Sequence, residues 1–92
     1  MDQDPLGKPG RRRAIDGELE VWARDLEDGS LAVGLFNRGE EPATVTAKWS
    51  DLGLKGRRMV RDLWRQQDLG KFKDEFKAQV PRHGVVLVRI QG

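Results

Sequence analysis

The sequence predicts an all-β domain: an antiparallel β-sandwich of about seven to eight strands, with Greek-key connections and a flexible N-terminal arm. Three observations predict this fold class. Apolar and polar residues alternate with a period of two along most of the chain, as in strands with one face turned inward. Turn-forming residues separate these short runs, and 92 residues allow one domain. An open sheet or a small barrel is the alternative.

Residues 1–10 contain two prolines and two glycines without periodicity, so they are expected to form a linker, and residues 11–92 the sandwich domain. Because Met1 directly precedes this linker, we expect the sequence to start inside a longer protein. The apolar run at 85–88 is typical of a central strand buried on both faces. Eight strands are predicted, near residues 11–15, 18–25, 31–38, 43–49, 58–64, 68–72, 74–80 and 84–91.

Two connections carry specific turn signals. Asp28-Gly29 fits a type I′ hairpin or a near relative, since both central residues of that turn have φ > 0. Residues 50–53 predict one helical turn, with Ser50 as its N-terminal cap and Gly53 as its stop. Apolar residues spaced three and four apart never continue beyond about two turns, so almost no other helix is expected.

The apolar residues exceed what the predicted core needs. Large side chains are left over on the opposite strand faces or in loops: Phe36, Met59, Leu63, Phe72 and Leu87. Because an antiparallel sheet usually turns one polar face to water, this surplus predicts an exposed apolar patch that another domain would cover. The predicted core itself consists of Leu19, Val21, Leu31, Val33, Leu35, Val45, Phe76, Val80, Val86 and Val88.

Trp22, Trp49 and Trp64 are the candidate residues for contact with another domain or with a sugar. A row of exposed aromatic rings on a sandwich face would stack against sugar rings, whereas buried tryptophans would fill the core or an interdomain contact. Only six aromatic residues serve the whole domain, so we favour the second interpretation. Trp64 is the expected member of the patch, because it ends a predicted strand and begins a loop.

No pattern predicts a catalytic, metal or cofactor site. The chain has no cysteine and one histidine, and it contains no phosphate-binding glycine loop and no GxSxG elbow. Asp2 and Asp4 form a carboxylate pair, but they lie in the predicted linker, where nothing holds or desolvates them. His83 has no nucleophile motif nearby and is expected to pack or hydrogen-bond where the last strand begins. No run approaches the ~18 apolar residues of a membrane span, so no membrane partner is predicted.

Charge is distributed unevenly along a chain whose net charge is +2. The first thirteen residues carry +2, residues 14–45 carry −6, and residues 46–92 carry +6. The basic half of the chain could bind nucleic acid, but its Lys and Arg residues are scattered singly rather than clustered. We therefore expect acidic and basic strands to lie side by side in a sheet and neutralise each other. The Arg run at 11–13 is expected to be a solvated strand start, and no nucleic-acid partner is predicted.

Five segments, in order along nearly the whole chain, resemble one family. They are DQDPLGK at 2–8, EVWAR at 20–24, LFNRG at 35–39, VRDLW at 60–64 followed by DLG at 68–70, and PRHGVVL at 81–87. Each is weakly specific alone, but their common order is fairly specific. The chain resembles the C-terminal part of α-galactosidases of glycoside hydrolase family twenty-seven, the melibiases.

The resemblance implies a parent enzyme with a (β/α)₈ barrel that cleaves terminal α-galactosyl groups, or in some members α-N-acetylgalactosaminyl groups, with retention. Both catalytic aspartates would lie in the barrel, so no catalytic residue carries over to this chain. The chain itself would be the C-terminal sandwich that packs on the barrel. The alternatives are a carbohydrate-binding β-sandwich and a nucleic-acid-binding β-barrel. The compartment stays open, with a secreted or periplasmic parent as one option.

Overall fold

The computed structural model describes residues 10–91, which form eight antiparallel strands and one short helix. The large sheet has six strands in the order β1-β2-β3-β8-β5-β6, and the small sheet pairs β4 with β7. In chain order the elements are β1 (Arg11–Asp16), β2 (Leu19–Asp25), β3 (Leu31–Asn37), β4 (Ala43–Lys48), α1 (Trp49–Leu52), β5 (Arg57–Asp62), β6 (Gln67–Lys73), β7 (Glu75–Val80) and β8 (Gly84–Ile90).

The predicted antiparallel sandwich is confirmed, and every predicted strand lies within two residues of its expected bounds. Strand β8 returns beside β5, as the fourth strand of a Greek key returns beside the first. The intervening β7 lies in the other sheet, so this Greek key spans both layers. The predicted linker lies outside the described residues, apart from Gly10, which is exposed and precedes β1.

The two sheets enclose one apolar core. Eight of the ten predicted core residues are buried in it, and the other two, Leu19 and Val86, are half-buried and pack against it. One expectation was wrong: Phe72 does not lie on an outer face or in a loop but turns inward. Its ring meets that of Phe76 edge-on, with centroids 5.0 Å apart. The reason is the register of β6, where Gly70 pairs with the fully buried Val60, so Phe72, two residues further on, points the same way. The other buried apolar members are Ala23, Ala47, Trp49, Leu52, Val60 and Ile90.

Strand β8 is central, between β3 and β5, as its apolar run predicts. Its burial on both faces is not complete. On the inner face Val88 and Ile90 are fully buried and Val86 is half-buried, whereas on the outer face both Val85 and Leu87 are only half-buried. The difference arises because no described layer of the chain covers the outer face of the large sheet.

The β2–β3 hairpin is a near relative of the predicted two-residue turn. Its loop has three residues, 27–29, closed by a hydrogen bond from the Leu26 N–H to the Ser30 carbonyl at 2.9 Å. Of Asp28 and Gly29, only Gly29 has a positive φ, of 89°. The Gly29 N–H also donates to the Leu26 carbonyl, so the loop is a type I turn followed by a left-handed glycine. The Asp28 carboxylate accepts hydrogen bonds from the Ser30 backbone N–H and hydroxyl, which keeps this loop closed.

Helix α1 is the expected single helical turn, but Ser50 does not cap it. Lys48 occupies the N-cap position in an extended conformation and makes no side-chain capping bond. The chain passes directly from β4 into the helix because the Trp49 N–H bonds to the Asp74 carbonyl of the neighbouring strand connection. Gly53 ends the helix in the left-handed region with φ of 73°, as predicted.

No helix within residues 10–91 is long and apolar enough to cross a membrane.

Opposite charges face each other within the basic part of the chain: Lys48 on β4 is opposite Glu75 on β7, and Arg61 on β5 forms an ion pair of 2.9 Å with Asp68 on β6. These two pairs do not join the acidic residues 14–45 to the basic residues 46–92, so they do not confirm the expected pairing of acidic with basic strands. A contact that does join the two parts is the Arg89 guanidinium, 3.8 Å from the Asp28 carboxylate.

The Arg run at 11–13 is exposed on edge strand β1, where a bulge follows Arg12. Charged residues and bulges on an edge strand discourage pairing with other chains, so this run is a solvated strand start, as expected.

Candidate interdomain surface

The outer faces of the two sheets differ in chemistry. The outer face of the small sheet is polar, and its cross-strand pairs are Thr44 with Gln79, Thr46 with Lys77, and Lys48 with Glu75. The large sheet instead carries half-buried apolar side chains at the centre of its outer face. We call this surface the outer apolar face and define it by Trp22, Gly34, Phe36, Leu63 and Leu87.

The register of three neighbouring strands builds the outer apolar face. Trp22 on β2 is opposite Gly34 on β3, and Gly34 is opposite Leu87 on β8, so the three residues form one row across the sheet. Leu63 extends this row beyond the end of β5, where its backbone N–H donates to the Leu87 carbonyl at 3.1 Å. Phe36 lies in the next row, opposite Val85.

A shallow depression of about 320 Å³ lies at the centre of this face. Gly34 is one of its lining residues, and the Phe36 ring packs over this glycine: a Cβ there would lie 2.7 Å from the ring and 3.4 Å from a Leu87 methyl group. Glycine inside a strand often marks a close approach by another group, and here the Phe36 ring occupies part of that space. Gly10 also borders the depression, so the chain reaches β1 beside this face.

Trp22 is held in place by polar contacts. Its indole N–H donates to the Glu20 carboxylate at 2.8 Å, and Arg38 Nε donates to the other Glu20 oxygen at 3.1 Å. The Arg38 guanidinium also lies 5.7 Å from the centroid of the Phe36 ring, a cation–π distance. The hydrogen bond from Trp22 lowers the pKa of Glu20 below its ordinary value, burial opposes this shift, and Arg38 and Arg12 lower the pKa further.

The structure separates the three candidate tryptophans. Trp49 is 2% exposed, and its indole N–H donates to the Gly56 carbonyl at 2.8 Å, so this residue fills the core and offers no contact surface. Trp22 is half-buried on the outer apolar face. Trp64 is 64% exposed in the loop between β5 and β6, directly after Leu63. The tryptophans therefore do not form one row of exposed rings.

His83 has the expected structural role where β8 begins. Its backbone has φ of 52°, its N–H donates to the Gly39 carbonyl, and its Nε2 lies 3.1 Å from a Glu40 carboxylate oxygen. These contacts tie the β7–β8 turn to the β3–β4 connection. Asp2 and Asp4 lie outside the described residues. Within residues 10–91 no group of three or more acidic, histidine or cysteine side chains is placed to hold a metal ion.

The sequence interpretation missed Gly34 as part of the outer apolar face, and Glu20 and Arg38 as the charged residues that contact its rings. Gly34 carried a usable signal, since a glycine between Val33 and Leu35 interrupts an otherwise apolar strand. Glu20 and Arg38 carried none. Their contact depends on the pairing of β2 with β3, which places the start of β2 beside the residue that follows β3.

Together the fold and this surface define a class of protein: a β-sandwich module with one polar outer face and one apolar outer face. Comparison with known sequences gives the family. A family model described as the alpha galactosidase C-terminal beta sandwich domain matches residues 16–90, and the chain belongs to this family.

The chain is similar to proteins several times its length. It is 42% identical over 85 residues to the α-galactosidase of Coffea arabica, covering 90% of this chain and 22% of that protein. The structure of α-galactosidase I from Mortierella vinacea matches 96% of this chain and 24% of its own, with a TM-score of 0.87 and 32% identity. A β-L-arabinopyranosidase from Geobacillus stearothermophilus matches 91% of this chain and 19% of its own, with a TM-score of 0.86 and 27% identity.

Proposed function

We propose that this chain is the non-catalytic C-terminal domain of an α-galactosidase-type retaining glycoside hydrolase. It packs on a (β/α)₈ catalytic domain of the same polypeptide through the outer apolar face and stabilises it. The observation that carries this proposal is the contrast between the outer apolar face of the large sheet and the polar outer face of the small sheet. Interdomain contacts commonly bury ~600–1,500 Å², an area that one face of a six-stranded sheet supplies.

The position of Gly10 also supports packing of the catalytic domain on the outer apolar face. Gly10 borders the depression between Trp22 and Leu87, immediately before β1. A domain that precedes β1 in the polypeptide would therefore be joined at the face that it covers. The lengths of the relatives are consistent with such a domain, since this chain matches 22% of the Coffea arabica enzyme.

The proposal assigns hydrolysis to the catalytic domain alone. The purified 92-residue chain is therefore expected to release no chromophore from a chromogenic α-galactoside. Turnover that disappears in an Asp2→Asn/Asp4→Asn double variant would overturn this assignment.

A chimeric enzyme tests the packing. In the Coffea arabica α-galactosidase, the segment matched by this chain is replaced by the chain itself, and thermal unfolding is compared with that of the same enzyme lacking the segment. The chimera is expected to unfold at the higher temperature. Leu87→Lys places a charge on the outer apolar face and is expected to remove this gain, because the ammonium group would be buried without a partner.

Thr44→Lys is the matched control, since it places the same charge on the polar outer face of the small sheet. It is expected to leave the gain intact. Both variants are also measured in the isolated chain, so that loss of domain folding is distinguished from loss of packing. A Leu87→Lys chimera as stable as the unsubstituted one, or an equal loss from Thr44→Lys, would contradict the proposal.

A further inference from the structure

The loop at residues 63–66, between β5 and β6, presents an apolar side chain to solvent. Trp64 is 64% exposed, more than Ile15 at 55% or Leu69 at 38%. The preceding residue, Leu63, belongs to the outer apolar face and is fixed there by its backbone hydrogen bond to Leu87. Trp64 therefore projects from a loop whose first residue is attached to that face.

Several hydrogen bonds hold this loop in one conformation. The Asp62 carboxylate accepts from the Arg65 backbone N–H at 2.9 Å, which closes the first turn of the loop. Arg61 binds the far side with both terminal nitrogens: Nη1 donates to Asp68 at 2.9 Å and Nη2 to the Gln66 carbonyl at 2.8 Å. A loop that is already ordered loses little conformational freedom when it docks, so its side chains bind more tightly for the same contact.

We infer that Trp64 is the anchor of the interdomain contact and fills a pocket of the catalytic domain, while Asp62 and Arg61 are positioning residues that hold the loop. This inference rests on the proposed function. The catalytic domain is the occupant because Gly10 and Leu63 border the same depression, so a domain joined at Gly10 meets this loop as well as the face. Tryptophan is enriched among the few residues that dominate the energy of protein interfaces.

The same chimera tests the inference with Trp64→Ala. This variant is expected to lose more than half of the gain in melting temperature, while the isolated chain with Trp64→Ala unfolds at the same temperature as the unsubstituted chain. Gln79→Ala on the polar outer face of the small sheet is the control and is expected to change neither protein.

Asp62→Ala tests the positioning role. It is expected to lower the melting temperature of the chimera, but to lower it no further when Trp64→Ala is already present, because the loop then has no anchor to present. Additive losses would contradict a positioning role, since a purely structural contribution of Asp62 would not depend on Trp64.

The outcomes separate this inference from the proposed function. If Leu87→Lys removes the gain and Trp64→Ala does not, the anchor is disproved and the packing proposal stands; if neither removes it, both are disproved. A calorimetric titration of the isolated chain with galactose gives a further outcome. Heat of binding that Trp64→Ala abolishes, together with an unaffected Trp64→Ala chimera, would show that the indole binds sugar and would overturn the inference.

Discussion

The indole N–H of Trp22 is hydrogen-bonded to the carboxylate of Glu20, two residues away on the same face of β2. Glu20 is only 8% exposed, and its second oxygen accepts a hydrogen bond from Arg38. The largest ring of the outer apolar face is therefore oriented by a charged group as well as by packing. This arrangement makes the geometry of the face sensitive to the ionisation of one carboxyl group.

Replacing Glu20 with Gln is expected to change the pH dependence of folding stability. The pKa of Glu20 is lowered below its ordinary value of 4.5, first by the Trp22 hydrogen bond and then by Arg38 and Arg12, against the opposing effect of burial. A lowered pKa means that the ionised carboxylate stabilises the folded state above pH 4.5 and that this contribution is lost as the pH falls through the folded-state pKa. Urea denaturation at a series of pH values between neutral and acidic measures this contribution as a change in the free energy of unfolding.

The stability difference between the unsubstituted chain and Glu20→Gln should be constant near neutral pH and should shrink below pH 4.5. Glu27→Gln, the same substitution at an exposed position of the β2–β3 loop, is the control. A Glu20→Gln difference that stays the same throughout the acidic range would show that ionisation of Glu20 does not contribute.

Substitution of Asn37 is expected to destabilise the fold strongly. Asn37 is 2% exposed, and its amide donates to the carbonyls of Glu41 and Val80 while its oxygen accepts from the Gly39 N–H. Asn37→Ala removes the hydrogen bonds from Asn37 to the buried Val80 carbonyl and Gly39 N–H and is expected to cost at least about 2 kcal/mol of unfolding free energy. Asn37→Asp is expected to cost more at neutral pH, because its carboxylate would face two carbonyl oxygens.

Urea denaturation of both Asn37 variants provides the measurement. Gln79→Asp, an exposed amide-to-carboxylate change on the small sheet, is the control and should stay within about 0.5 kcal/mol of the unsubstituted chain. If Asn37→Asp is as stable as this control, the Asn37 amide does not stabilise the fold through its bonds to the two carbonyl groups.

In the isolated chain, substitution of Trp49 and substitution of Trp64 should have very different effects on the free energy of unfolding. Trp49→Ala removes a buried ring that also donates to the Gly56 carbonyl, so it is expected to cost about 3–5 kcal/mol. Trp64→Ala removes an exposed ring and should stay within about 0.5 kcal/mol. Denaturation followed by far-UV circular dichroism avoids relying on tryptophan fluorescence. Similar losses for the two variants would contradict the placement of these side chains.

Strands with clean apolar alternation could be located from the sequence because the alternation directly reports which side of a strand is desolvated. Val45 and Ala47 on β4, and Phe76 and Val80 on β7, are buried as their alternation predicts. Strand β6 gave no such signal. Its apolar residues Leu69 and Phe72 are three positions apart, so the inward direction of Phe72 depends on pairing with β5.

For the outer apolar face, too, the sequence predicted one part and the pairing of strands decided the rest. The surplus of large side chains predicted that a patch exists, and Phe36, Leu63 and Leu87 do lie half-buried on it. Which residues meet there was not predictable. Trp22, Gly34 and Leu87 belong to three strands, and only the placement of β3 between β2 and β8 brings them into one row.

The sequence by itself determined the strands and most of their bounds, because a period of two and the conformational preferences of glycine and proline act over a few residues. The family was indicated separately, by the five segments that resemble it. The tertiary structure alone decided which strands share a sheet, which sheet has an apolar outer face, and which tryptophan is buried. Those outcomes depend on hydrogen bonds between strands far apart in the chain. Alternation along a strand predicts which side chains share a face of that strand. It does not predict whether that face will contact the core, another domain or solvent.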